Sequence, residues 1–165
     1  MSLTHRIACF DDLPAIVGIY NSTVASRDVT ADTEPVSVES RHVWFADHIP
    51  EKRPLWVIEE AGQLLGWLSY SNFYGRPAYS STAELSIYIH EQARGRGIGR
   101  YFLEQAIAHA PEIGVSTLLG FIFGHNIPSL KLFELFQFER WATLPRVAVL
   151  DGVERDLLIL GKRVA

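Results

Sequence analysis

Thr82-Ala83-Glu84-Leu85-Ser86-Ile87-Tyr88-Ile89-His90 runs directly into Glu91-Gln92-Ala93-Arg94-Gly95-Arg96-Gly97-Ile98-Gly99-Arg100, and this junction decides the fold. The first part is rich in residues that suit a pleated, half-buried surface and is expected to form a strand. The second places glycines at alternate positions and opens a segment whose apolar residues Ile98, Phe102, Leu103, Ala106 and Ile107 recur at helical spacing. The order is strand, glycine loop, helix. Such a loop exposes backbone N–H groups at the positive end of a helix dipole, and glycine lets an anion approach without meeting a Cβ. Arg94, Arg96 and Arg100 add positive charge, so a phosphate or pyrophosphate is the ligand expected.

Two nucleotide motifs are excluded. A dinucleotide fingerprint needs G-x-G-x-x-G and an acidic residue closing a strand ~20 positions later. Here Gly95 and Gly97 are followed by Gly99 and Arg100, without that acid. A P-loop needs four residues between its glycines and then Lys with Ser or Thr, and none of this occurs. The bland alternative is a glycine-rich turn with solvated arginines.

Outward from the junction, Leu3 to Cys9 reads as a first strand, and Asp11 or Asp12 is placed to cap a helix carrying Leu13, Ile16, Val17, Tyr20 and Val24. A second helical pattern runs from about Ser37 to His48, where Pro50 and Pro54 end it. Leu55–Glu60 and Gln63–Asn72, separated by Ala61-Gly62, predict a tight hairpin. Beyond the central helix come a strand over Val115–Phe123, a helix over Pro128–Phe136, and strands Glu139–Leu150 and Val153–Lys162 turning at Asp151-Gly152. Paired hairpins followed by alternating helices imply an α/β or α+β fold with a mixed, mainly antiparallel sheet covered on both faces.

At 165 residues, one domain spanning 1–165 is expected. The chain is 48% apolar and 21% charged with a net charge of -4 and scattered arginines, which argues against nucleic-acid binding. No apolar run approaches the ~20 residues of a membrane span, and the start Met1-Ser2-Leu3-Thr4-His5 lacks an apolar signal core, so a cytoplasmic protein without membrane partners is expected. The single Cys9, on the expected first strand, is read as a buried thiol. The six histidines have no metal-ligand spacing, and no metal is expected.

Arg94-x-x-Gly97-x-Gly99 resembles the acetyl-coenzyme A motif of the GCN5-related N-acetyltransferases, and the resemblance spans nearly the whole chain. It is greatest to the phosphinothricin and methionine sulfoximine acetyltransferase branch, through Ile7-Ala8 to Ile19-Tyr20-Asn21, the run from Thr82 to Ile89, and Asn126-Ile127-Pro128-Ser129-Leu130 before Phe138. The resemblance implies a twisted sheet of about seven strands that splays between the fourth and fifth. It implies that acetyl-coenzyme A pairs with the backbone of Ile87, Tyr88 and Ile89 and is held by Arg94, Gly95, Arg96, Gly97, Ile98, Gly99 and Arg100, with Asn126, Ser129 and Lys131 nearby. Asn126 could equally be a helix cap. Glu84 is implied as the base that takes the amine's proton, directly or through water, a role that needs a raised pKa or a relay.

The implied acceptor is a small amino-acid-like primary amine such as phosphinothricin, methionine sulfoximine or methionine sulfone. Its pocket is expected between Ser26–Glu34 and Asn72–Tyr79, with Arg76 holding a carboxylate and Phe73, Tyr74 and Tyr79 lining the side-chain site. A homodimer is the implied assembly. Two departures stand out. Phe133 replaces the His or Tyr that relatives offer as a proton donor, and Val149 to Asp156 replaces a Lys-Phe-Gly-x-Trp-x-Asp run that helps close the acceptor pocket. The alternatives are another amine acceptor, such as a protein N-terminus or a polyamine, and a non-catalytic acyl-coenzyme A sensor.

Overall fold

The computed structural model describes residues 2–165; Met1, the first residue of the start segment discussed above, lies outside them. In chain order the elements are β1 (Arg6–Ile7), α1 (Leu13–Ser22), α2 (His42–Ala46), β2 (Leu55–Glu60), β3 (Gln63–Asn72), β4 (Thr82–Ile89), α3 (Ile98–His109), β5 (Thr117–Phe123), α4 (Ile127–Leu135), β6 (Glu139–Leu150) and β7 (Val153–Arg163). The seven strands form one sheet in the order β1-β2-β3-β4-β5-β7-β6. Every pairing is antiparallel except β4 with β5, whose parallel register requires the crossover that α3 provides.

The parallel pair is brief. Thr82 faces Thr117, Ala83 faces Leu118 and Glu84 faces Leu119, and there the pairing stops while both strands continue. The sheet therefore forks at Glu84. Both hairpin turns read from the sequence form, Ala61-Gly62 and Asp151-Gly152, and each pair takes positive φ at both positions, the geometry that matches strand twist.

Alternation along the central strands divides the core. Leu68, Tyr70, Ala83 and Leu85 pack against Phe102, Leu103, Ala106 and Phe133 of α3 and α4. Trp67 and Val57 point the other way, toward Ile16 and Ile19 of α1 and Trp44 and Phe45 of α2. The helices thus cover both faces, as the pattern required.

Four local expectations are corrected. The first strand is only two residues long, because the Asp12 carboxylate accepts the Cys9 N–H at 2.8 Å and turns the chain out of the ladder. Cys9 is consequently exposed rather than buried. Asp12 does not cap α1 with its side chain, being held instead by both terminal nitrogens of Arg6 at 2.8 and 3.0 Å. The helix expected over 37–48 shrinks to a 3-10 turn, Glu39–Arg41, followed by the five residues of α2. Ser37 and Ser40 there bond the local backbone, which competes with regular helix hydrogen bonding.

Candidate active site

Below the fork, β4 and β5 enclose a cleft of about 420 Å³. Its walls include Leu85 to Ile89, Phe121 and Ile122, with Asn126, Ser129 and Phe133 from the start of α4 and the helix itself. The β4 register with β5 ends at Glu84, so the edge of Leu85–Ile89 that faces the cleft has no strand partner. Unpaired N–H and C=O groups along a strand edge invite an extended ligand to add as a further strand.

The glycine loop reaches the same cleft through Arg94, which lines it. Gly95 and Gly97 hold φ of +76° and +80°, and Gly97 is the residue from which α3 departs. A Cβ at either position would be strained whatever the space around it. Ile98 and Gly99 are buried, with Gly99 packed close to Leu132 and Ile89. The loop arginines separate in role. Arg94 and Arg100 are exposed, whereas Arg96 grips Glu60 of the β2–β3 hairpin, with nitrogens 2.7 and 3.3 Å from its carboxylate oxygens.

Asn126 does two things. Its side-chain oxygen accepts the Ser129 N–H at 3.3 Å, capping α4, and the residue also lines the cleft. Ser129 lines it too, while Lys131 is exposed and outside it.

Glu84 sits where the strands part. Burial pushes its carboxyl above the ordinary range, and among the described residues its side chain makes no hydrogen bond or ion pair. Such an environment disfavours the charged carboxylate and raises its affinity for a proton. Alternation places Glu84, Ser86 and Tyr88 on the α1 side of β4, where Ser71 faces Glu84 and Ser69 faces Ser86 across the β3–β4 register.

On that side lies a second cavity of about 130 Å³, between α1, α2 and the floor formed by β3 and β4. It shares Ser86 and Tyr88 with the large cleft, so the two spaces meet at β4. Trp44 and Trp67 line it, their ring centroids 5.5 Å apart, and Trp67 stacks on Tyr88 at 4.6 Å. Its arginine is Arg41, whose guanidinium lies 5.1 Å from the centroid of the Tyr20 ring and 3.3 Å from the Asp32 carboxylate. The Tyr20 hydroxyl donates to Asp32, and it also pairs with the Thr30 hydroxyl.

The segments expected to border an acceptor are divided by the structure. Ser26, Asp28 and Val29 line the large cleft. Phe73, Tyr74 and Tyr79 form an aromatic cluster outside both cavities, with Phe73 6.4 Å from Phe121, and the Arg76 guanidinium stands exposed without a hydrogen-bond partner among the described residues. Arg41 was missed, although its helical spacing from Trp44 on the predicted second helix was visible. Among the described residues no cluster of His, Cys, Asp and Glu is placed to hold a metal.

The fold recurs in known proteins. The model of the Acetyltransferase (GNAT) family matches residues 18–138. YwnH of Bacillus subtilis (strain 168), provisionally named a phosphinothricin acetyltransferase, is 54% identical over 164 residues, covering 99% of this chain and 100% of that protein. The L-methionine sulfoximine/L-methionine sulfone acetyltransferase of Pseudomonas aeruginosa is 30% identical over 161 residues, 97% of this chain and 94% of its own. The crystal structure of a GNAT superfamily phosphinothricin acetyltransferase from Sinorhizobium meliloti, in complex with acetyl-coenzyme A, superposes with a TM-score of 0.92 at 27% identity, covering 99% of this chain and 89% of that one.

Proposed function

The chain belongs to the Acetyltransferase (GNAT) family, and from that membership we propose that it binds acetyl-coenzyme A in the large cleft and acetylates the primary amine of a small amino-acid-like acceptor. The observation that carries this reading is the fork at Glu84: one strand edge left unpaired above a glycine loop, with a half-buried carboxylate at its apex.

The residues fit the donor. The free edge of Ile87, Tyr88 and Ile89 offers backbone groups to an amide-bearing arm, and the N-terminal turn of α3 with Gly95, Gly97 and Arg94 offers N–H groups and charge to a pyrophosphate. When bound, acetyl-coenzyme A supplies an acetyl group activated as a thioester. Arg96, tied to Glu60, fixes the loop against the β2–β3 hairpin, and Arg100 adds charge from the exposed side of the helix. Glu84 accepts the proton that the acceptor's ammonium must lose, directly or through water, and a β4 backbone N–H polarises the carbonyl under attack. Donor and acceptor meet across β4, so transfer is direct and needs no acyl-enzyme. Phe133 has no proton to give, which leaves solvent to protonate the departing thiolate.

Phosphinothricin, methionine sulfoximine and methionine sulfone are the first acceptors to test, because two full-length relatives bear those names. The same proposal places the enzyme in the cytoplasm, without nucleic-acid or membrane partners; among the described residues no helix is long and apolar enough to cross a membrane. It also makes the enzyme a homodimer, for β6 is a sheet edge carrying Trp141, Val147 and Val149 exposed at 45%, 56% and 62%. Thiol release from acetyl-coenzyme A, followed across a panel of amino acids, polyamines and N-terminal peptides, tests the reading. Turnover greatest with the amino-acid acceptors supports it, and cofactor binding without release for any amine makes the protein a sensor instead.

A further inference from the structure

The turn that joins β5 to α4 holds an imidazole that the fold uses on one side only. His125 Nε2 lies 2.9 Å from the Arg27 carbonyl oxygen and 3.2 Å from the Asp28 carboxylate. Both partners can only accept, so Nε2 carries the hydrogen and the lone pair of the neutral ring falls on Nδ1. That nitrogen is buried and, among the described residues, has no hydrogen-bond partner. A buried acceptor left unpaired costs about 1–3 kcal/mol, so a fold that keeps one calls for a reason. The plane of the ring is fixed as well, by a stack on Phe123 with centroids 5.6 Å apart and 18° between the planes.

The place of the ring supplies that reason. His125 lines the large cleft, and so do Ser26, Asp28 and Val29 of the segment that Nε2 holds. One imidazole therefore ties two walls of the cleft together, the β5–α4 turn and the strap that follows α1. The neighbouring Asn126 has its side-chain oxygen committed to the Ser129 N–H, whereas His125 Nδ1 is committed to nothing. An extended ligand that adds to the unpaired edge of Leu85–Ile89 bonds along one side and keeps its other side toward β5 and this turn.

We propose that His125 binds the amide-bearing arm of acetyl-coenzyme A: its Nδ1 accepts a hydrogen bond from an amide N–H of the arm while its Nε2–H holds the strap, so that ligand and strap close on one another through a single ring. The inference rests on the acetyl-coenzyme A reading above and adds to it a residue outside both the glycine loop and the β4 edge. A bond accepted at Nδ1 polarises the ring and strengthens the one donated from Nε2. A ligand that reaches Nδ1 displaces the side chains that screen it, and the bond then forms away from water, where it is strongest.

Calorimetric titration of the wild type, His125→Gln and His125→Leu with coenzyme A, and with adenosine 3′,5′-bisphosphate, which lacks the arm, tests this alongside thermal melts of each protein. Glutamine reaches the Arg27 carbonyl with an amide N–H, as Nε2 does, but has no acceptor at the place of Nδ1. His125→Gln is therefore expected to melt with the wild type, to bind coenzyme A about fivefold more weakly, the worth of one neutral hydrogen bond, and to bind the bisphosphate equally. His125→Leu, which loses the strap contact as well, is expected to bind coenzyme A more weakly still. Coenzyme A bound equally by the wild type and His125→Gln, or an equal loss for both ligands, overturns the assignment of Nδ1 to the arm and leaves the acetyltransferase reading intact. A wild type without affinity for coenzyme A overturns that reading and the inference with it. Should the variants not fold, the nitrogen NMR signal of His125 Nδ1 in the wild type decides: a shift with coenzyme A that the bisphosphate does not produce supports the bond, and any other result overturns it.

Discussion

Arg27 donates its Nε–H to the Asp151 carboxylate at 3.0 Å, joining the segment after α1 to the β6–β7 turn across 124 positions of sequence. The same segment is held from a second side, where His125 Nε2 lies 2.9 Å from the Arg27 carbonyl and 3.2 Å from the Asp28 carboxylate. Asp28 lines the large cleft, so these contacts fix one of its walls. The two ends of the Arg27–Asp151 pair are not equivalent. Asp151 is 66% exposed and contributes only a solvent-screened ion pair, whereas Arg27 also donates to the carbonyls of Val24 and Thr33 at 2.8 and 3.0 Å. Asp151→Asn is therefore expected to change unfolding free energy by less than about 1 kcal/mol and Arg27→Ala to lower it by about 1–2 kcal/mol, as read from urea titrations. Equal losses would mean that the ion pair, not the carbonyl contacts, holds the segment.

Glu84→Gln is expected to lower kcat by about 10²–10⁴-fold and to remove the acid limb of the pH profile of kcat/KM, which in the wild type lies above the ordinary carboxylate range. The same substitution has the opposite effect on stability. Burial raises the Glu84 pKa in the folded state, so between the unfolded and folded values the native protein holds the extra proton, and wild-type stability declines as pH rises through that window. Below the window both states are protonated and the cost vanishes. The variant should be the more stable protein at pH 7 and lose that advantage near pH 4. Thermal melts at the two pH values, with the wild type alongside, check the sign.

The glycine loop was legible because it depends on backbone conformation, which local sequence controls, whereas the fork was expected only from the family resemblance. Gly95 and Gly97 take left-handed φ, and a two-residue turn joins β2 to β3 where Ala61-Gly62 stands. The smaller cavity behind β4 was not legible. Its residues come from α1, the segment around Val36, the turn before α2, β3 and β4, and no spacing rule links Tyr20 or Arg41 to Ser69. Arg76 and its aromatic neighbours drew attention as a cluster in one loop, yet they pack on one another outside both cavities. Cys9 failed for a related reason: the strand read over 3–9 pairs only at Arg6–Ile7, because the Asp12 carboxylate that turns the chain is held by Arg6.

The loop arginines should differ in their effect on donor binding. Arg94 lines the cleft with its guanidinium free of hydrogen-bond partners among the described residues, while Arg96 is committed to Glu60. Arg94→Ala is expected to weaken coenzyme A binding about tenfold, in line with loss of one charge-assisted contact, and Arg96→Ala by less than about threefold. Calorimetric titration at two salt concentrations checks this. A larger loss for Arg96→Ala would show that its pairing with Glu60 gives way to the ligand.

Phe133 packs into the core between α4 and β5, and Gly120 on β5 is what accommodates it. A Cβ built on Gly120 would lie 2.6 Å from Cε2 of Phe133, closer than packed carbon atoms come. Phe133 cannot retreat easily, because it is 6% exposed and meets Phe138 edge-on with centroids 4.9 Å apart. Gly120→Ala is therefore expected to cost about 1–3 kcal/mol by overpacking. Phe133→Ala leaves a cavity and is expected to cost about 3–5 kcal/mol. The double variant decides between packing and chemistry: the new methyl at 120 occupies part of the space the ring vacates, so the two costs should sum to less than their parts. Strict additivity in urea titrations would show that Gly120 and Phe133 do not share the space between β5 and α4.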